Sequence, residues 1–161
     1  MPTWDEGKLA EPYDTLLEQL RGLLEGERDV IANLANSSAL LNEMLKEINW
    51  VGFYLRREKE LILGPFQGKV ACIHIPLGRG VCGTAAAEDA IQLVPDVHRF
   101  PGHIACDSAS NSEIVLPLHC DGKVVAVLDI DSPTPGRFQP SDRDGLALCA
   151  RLIEASCDWE S

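Results

Sequence analysis

Three cysteines lie in the polar, irregular part of the chain, and one of them, Cys106, has no packing reason to sit there. Cys106 lies in GHIACDSAS beside His103, Asp107, Ser108 and Ser110, Cys82 follows two glycines in GRGVCG, and Cys72 opens CIHIPL. Two thiols that meet in space can run a thiol–disulfide cycle. One thiolate attacks an oxidised substrate and becomes a sulfenic acid, the second condenses with it to a disulfide, and an external dithiol reduces that bond. Cys82, preceded by Arg79 and placed near the first turn of a short helix, is expected to have its thiol pKa lowered by the positive end of the helix dipole. Other uses compete with this one. A cysteine also serves as a small core hydrophobe, and Cys72, His74, Cys82, His103 and Cys106 could together hold zinc. The Cys-x-His pair and the ten-residue step from Cys72 to Cys82 match no tight zinc knuckle, so no metal is expected. Cys120, Cys149 and Cys157 complete the six cysteines and are read as core residues, Cys149 sharing a helical stripe with Leu146 and Ile153.

A second constellation is acidic. Asp129 and Asp131 alternate in VAVLDIDSP, so both project from one strand face, and Glu113 opens the partner strand and could approach them. Such carboxylates are either a solvated strand face or a pocket. In a pocket they could hold a substrate ammonium group, and one with a raised pKa could donate a proton. Trp50 and Tyr54, four apart in INWVGFY, share a strand face and either wall a pocket or pack as core aromatics. GRGVCG has glycines reminiscent of a phosphate loop but fits neither G-x-x-x-x-G-K-[ST] nor G-x-G-x-x-G. The net charge of −11, from 14 basic and 25 acidic residues, argues against nucleic acid, anionic membranes and a dedicated nucleotide site.

The elements that position these residues follow from periodicity. Tyr13, Leu16, Leu17, Leu20, Leu23 and Leu24 recur at helical spacing up to the break at Gly26. A second helix is expected from about Arg28 to Lys46, interrupted near Ser37 and Ser38. From Ile48 the period becomes two: INWVGFYLRR and ELILGPF make a hairpin, and ACIHIPL is a further strand that would put Cys72 and His74 on one face. GRGVCGTAAAEDA reads as a Gly-rich loop opening an Ala-rich helix, and IQLVPDV as a brief strand. HRFPGHIACDSASNSE has neither period; loops of that length in compact domains are usually functional or disordered, and the two His, the Cys and the acidic residues here point to function. SEIVLPLHC and KVVAVLDIDSP form a hairpin on the Asp121-Gly122 turn. A last helix is expected to run from an N-cap at Ser141 to Cys157. The 161 residues thus predict one α+β domain: N-terminal helices over 1–47, a mostly antiparallel sheet with the site loops over 48–133, and a C-terminal helix over 140–157. The helices are expected mainly on one face and the long loop on the other. MPTWDEGKLAEPYD has no basic start or apolar run, which points to the cytoplasm, where thiols stay reduced.

The blocks NWVGFYL, LGPFQGKVACIHI, GRGVCGTAA, DVHRFPGHIACDSASNSEIVLPL and VLDIDSP, in this order from Asn49 to Pro133, together resemble the free methionine-(R)-sulfoxide reductase family of small GAF-domain proteins. The resemblance implies a GAF-like fold and reduction of free L-methionine-(R)-sulfoxide. Cys106 matches the family's nucleophile, Cys72 a resolving cysteine and Cys82 the third redox cysteine. Glu113, Asp129 and Asp131 match the carboxylates that bind the amino acid and polarise or protonate its sulfoxide oxygen, and Trp50 and Tyr54 match aromatics beside its methyl group. No bound cofactor is implied, only an external thioredoxin-type dithiol, and the family suggests a homodimer. The alternative is a non-catalytic GAF module that binds a small ligand or senses redox state through the same cysteines.

Overall fold

The computed structural model describes residues 9–102 and 109–160. Alternating apolar positions produce the strands β1 (Trp50–Arg57), β2 (Glu60–Gly68), β3 (His74–Pro76), β4 (Gln92–Val94), β5 (Ser112–Cys120) and β6 (Lys123–Ser132). They join antiparallel into one six-stranded sheet in the order β3-β2-β1-β6-β5-β4. The pairing of β1 with β6 at its centre brings residues far apart in the chain to face each other. Asp121 and Gly122 both take positive φ, 52° and 77°, as a two-residue turn of the kind whose twist suits a hairpin requires.

Three helices cover one face: α1 (Tyr13–Leu24), α2 (Val30–Met44) and α4 (Pro140–Ala155). The core beneath them joins Leu16, Leu20, Leu34 and Leu41 to Phe53, Leu116, Leu128 and Ile130 of the sheet and to Leu146, Cys149 and Ile153 of α4. Burial holds the Cys149 thiol up to about 12, so it is an inert hydrophobe there. Tyr13 ties α1 to α4. Its ring lies over Gly145, where a Cβ would sit 2.3 Å from Tyr13 Cγ, and its hydroxyl donates to Asp142 Oδ1 at 2.6 Å. Asp142 also accepts from Gln139 N at 2.8 Å and pairs with Arg137 at 3.3 Å, closing the N-terminus of α4.

Four local expectations need correction. The second helix is continuous through Ser37 and Ser38, because both are buried and the Ser38 hydroxyl returns its hydrogen bond to Leu34 O four residues back (2.8 Å). The N-cap of α4 is Gln139, with Pro140 at the first helical position, so Ser141 lies inside the helix. Cys120 is partly exposed at the end of β5 rather than in the core, whereas Cys149 and Cys157 are buried. Cys72 stands in irregular chain before β3, not on a strand.

Candidate active site

On the face away from α1, α2 and α4, the alternation of β1, β5 and β6 exposes a different set of side chains. Register places Trp50 opposite Asp131 and Gly52 opposite Asp129, while Glu113 of β5 stands opposite Asp131 from the other side. The three carboxylates therefore converge on one face, as their spacing predicts, with Glu113 and Asp129 out of water and Asp131 half-buried. Glu113 is 8% exposed and Asp129 5%. Burial pushes the Glu113 carboxyl well above its ordinary range, and the charges of Asp129 and Asp131 push it further. Burial also raises Asp129, but hydrogen bonds from Glu113, Asp131 and Cys82 oppose that rise. Both carboxyls are thus pushed upward, Glu113 with no opposing cause and Asp129 against the hydrogen bonds it accepts.

The short helix α3 (Gly80–Glu88) closes this face over β5 and β6 and carries Cys82 in its first turn. Its far end is tied down through Asp89, whose carboxylate meets His119 Nε2 at 2.5 Å, while His119 Nδ1 faces Glu154 of α4 at 3.1 Å. Cys82 is buried, and its thiol donates towards Glu113 Oε2 at 3.9 Å. The expected lowering of the Cys82 pKa is reversed. Burial raises it well above the usual thiol value, followed by the charges of Asp129, Glu113 and Asp131, and these outweigh the helix end. Arg79, the N-cap residue, is exposed. The Cys82 Sγ and carboxylate oxygens of Glu113 and Asp129 lie within 4.8 Å of one another, a spacing that would admit a cation. The zinc set weighed from the sequence does not assemble among the described residues. The exposed His74 ring pairs with Glu60 at 3.0 Å, and Cys72 is already disulfide-bonded.

An aromatic wall stands beside the acids. Trp50 stacks on Tyr54, centroids 5.9 Å apart, and on Phe66 of β2 at 5.1 Å with 15° between planes. Phe66 was not singled out from the sequence. The signal that could have found it is Gly52, where a Cβ would come within 2.2 Å of Phe66 Cβ, so only a bare position on β1 lets the third ring in. The polar edges of the wall point outward to the chain that bears Cys72: Trp50 Nε1 donates to Lys69 O and the Tyr54 hydroxyl to Cys72 O, each at 3.1 Å. Of the sequence-read site residues, Trp50, Tyr54, Cys72, Cys82, Glu113, Asp129 and Asp131 are thereby brought to one face and its rim. Cys106, with His103, Asp107 and Ser108, lies outside the described residues.

Residues 8–157 match the GAF domain family model. The chain is 57% identical over 144 residues to the free methionine-R-sulfoxide reductase of Escherichia coli, covering 89% of this chain and 87% of that one. It superposes on the reduced form of fRMsr from Staphylococcus aureus with a TM-score of 0.89 at 51% identity, over 97% of this chain and 99% of that one. It also superposes on free methionine-R-sulfoxide reductase from Neisseria meningitidis in complex with its substrate, with a TM-score of 0.87 at 43% identity, over 97% and 92% of the two chains.

Proposed function

Because the chain belongs to the GAF domain family, and within it to the free methionine-R-sulfoxide reductases, we propose that it reduces free L-methionine-(R)-sulfoxide to methionine by a cysteine sulfenic acid and disulfide cycle. The relatives named for this reaction make the chain an oxidoreductase. The observation that carries the finer reading is the buried Glu113, its carboxyl pushed upward by burial and by its acidic neighbours, beside Asp129 and facing an aromatic wall with Cys72 at its rim.

The carboxylates divide the work. Asp129 and Asp131 hold the substrate ammonium, an interaction that strengthens where water is excluded. Glu113 points its proton at the sulfoxide oxygen. The methyl and methylene groups lie against Trp50 and Tyr54. The Cys106 thiolate attacks the sulfoxide sulfur as the oxygen takes the Glu113 proton; the resulting hydroxyl passes from that sulfur to Cys106 Sγ while the transient S–S bond breaks, so methionine leaves and Cys106 is the sulfenic acid. The Cys72 thiol then displaces water from that sulfenic acid, forming the disulfide. A dithiol protein of the thioredoxin class supplies two electrons and two protons to restore both thiols. The disulfide-bonded state of Cys72, beside a free Cys82, supports giving the resolving step to Cys72 and leaving Cys82 as a proton-sharing neighbour of the acids. A homodimer working in a reducing cytoplasm completes the proposal, and light scattering tests its dimeric part.

The test is methionine release from the free R-sulfoxide with excess dithiothreitol, wild type against Cys106→Ser. Release by the wild type alone supports the cycle and its nucleophile. Equal release by both moves the nucleophile to another cysteine, and none from the wild type overturns the reading.

A further inference from the structure

Five large apolar side chains stand exposed among the described residues, and the two most exposed flank Cys72: Val70 at 88% and Ile73 at 59%. Their exposure is not the by-product of a loose loop. The carbonyls of Lys69, Cys72 and Ile73 are each pinned to the sheet, the first by the Trp50 indole, the second by the Tyr54 hydroxyl and the third by Leu63 N at 2.9 Å. The backbone is thus held on both sides of Val70 and at Ile73 itself. Isolated apolar residues on a surface need no explanation, but these two stand on either side of a half-buried, disulfide-bonded cysteine.

We propose that Val70 and Ile73 form the docking surface for the protein dithiol that reduces this enzyme, and that its thiolate attacks Cys72. The proposal rests on the disulfide cycle above and adds to it the place and the sulfur at which reduction begins. Exchange requires the incoming thiolate to line up with the disulfide, so a protein reductant must seat its own surface against the chain around the attacked sulfur. Here that chain offers apolar contact on both sides of Cys72, which suits a partner whose reactive thiol lies in an apolar surface. The partner's first thiolate bonds to Cys72 Sγ, and the sulfur that Cys72 had held departs as a thiolate and takes up a proton. The partner's second thiol then attacks the mixed disulfide, freeing Cys72 and leaving the partner oxidised. Two electrons and two protons pass to the enzyme.

The experiment uses the oxidised full chain and thioredoxin as the probe. Val70→Asp with Ile73→Asp is expected to slow reduction by thioredoxin about tenfold or more, as loss of two buried apolar anchors would. Reduction by dithiothreitol, which needs no docking surface, should stay at the wild-type rate. An unchanged rate with thioredoxin, or an equal loss with both reductants, overturns the proposal. A second measurement needs no variant of this chain: thioredoxin with its second active-site cysteine replaced by serine should be trapped on Cys72, as peptide mass shows. Trapping on any other cysteine overturns it. These outcomes are separate from the fate of the functional reading, since a chain that is reduced through Cys72 yet releases no methionine defeats that reading and leaves the docking surface standing.

Discussion

On the helix-covered face of the sheet, β1, β5 and β6 present Val51, Phe53, Ile114, Leu116, Leu128 and Ile130, none more than 1% exposed; on the opposite face the intervening positions of the same strands are Trp50, Gly52, Tyr54, Glu113, Val115, Asp129 and Asp131. The first set buries apolar surface against three helices, at ~1.5–3 kcal/mol of stabilisation for each large side chain. The second holds acids out of water beside one another, an arrangement that opposes folding. A single period-two pattern thus assigns stability to one side of each strand and chemistry to the other. What the comparison teaches is that the site can be destabilising because the other face is not.

The largest effect should come from replacing the Glu113 carboxyl. Glu113→Gln is expected to lower turnover about 10²–10⁴-fold, the usual range for a general acid, and to make the fold more stable at alkaline pH. With the folded carboxyl held above its ordinary value of 4.5, its contribution is full below that value and is lost as pH climbs towards the folded value. Denaturant midpoints at pH 4.5 and pH 8.5 should therefore separate for the wild type more than for the variant, which should be the more stable of the two at the higher pH. Lost stability at alkaline pH would break the contrast between the faces.

The reverse outcome is expected one residue away from the pocket set. Phe53→Ala leaves a cavity under the helices and should lower stability by ~3–5 kcal/mol in urea unfolding. Methionine release per folded molecule, measured well below the melting temperature, should hold at the wild-type level. A smaller loss of the same kind is expected for Asp142→Ala, which strands the buried Tyr13 hydroxyl and the Gln139 N–H, at about 1–3 kcal/mol. Tyr13→Phe combined with Asp142→Ala should lose less than the two separate losses added, since each removes the same hydrogen bond.

The faces differ too in how much of them could be read in the sequence. Alternation alone places Trp50 with Tyr54 and Asp129 with Asp131, and an acid that opens the next strand falls opposite them through the Asp121-Gly122 hairpin. What alternation cannot convey is pairing between distant segments. Phe66 joins the wall because β1 and β2 slip register between Gly52 and Tyr54, a bulge that leaves no local mark except a glycine. The reversed shift of Cys82 has the same origin: the helix end is local and visible, whereas the acids that outweigh it arrive from strands more than thirty residues on. Cys72 reads as a strand residue because ACIHIPL alternates, yet Ile73 is turned to solvent and the strand begins only at His74. That departure from the apolar pattern is what the proposed docking surface uses.

The smallest change sharpens the comparison at the point where pocket and disulfide meet. Tyr54→Phe keeps the ring against Trp50 and deletes only the hydroxyl that donates to Cys72 O. Burial, with the charge of Asp129 added, raises the Tyr54 phenol above its ordinary value, so the hydroxyl keeps its proton and remains a donor at neutral pH. One such bond is worth about 1 kcal/mol net, which corresponds to about fivefold in a step that depends on where Cys72 stands. If the wall and the latch are separate duties of one side chain, KM for the sulfoxide and the first burst of methionine should be unchanged, while closure of the disulfide slows by about that factor. Rapid-quench thiol counting against methionine release resolves the two steps. A raised KM with closure at the wild-type rate would place the hydroxyl in substrate binding instead, and the carbonyl of Cys72 would then need no support from the pocket to present its sulfur.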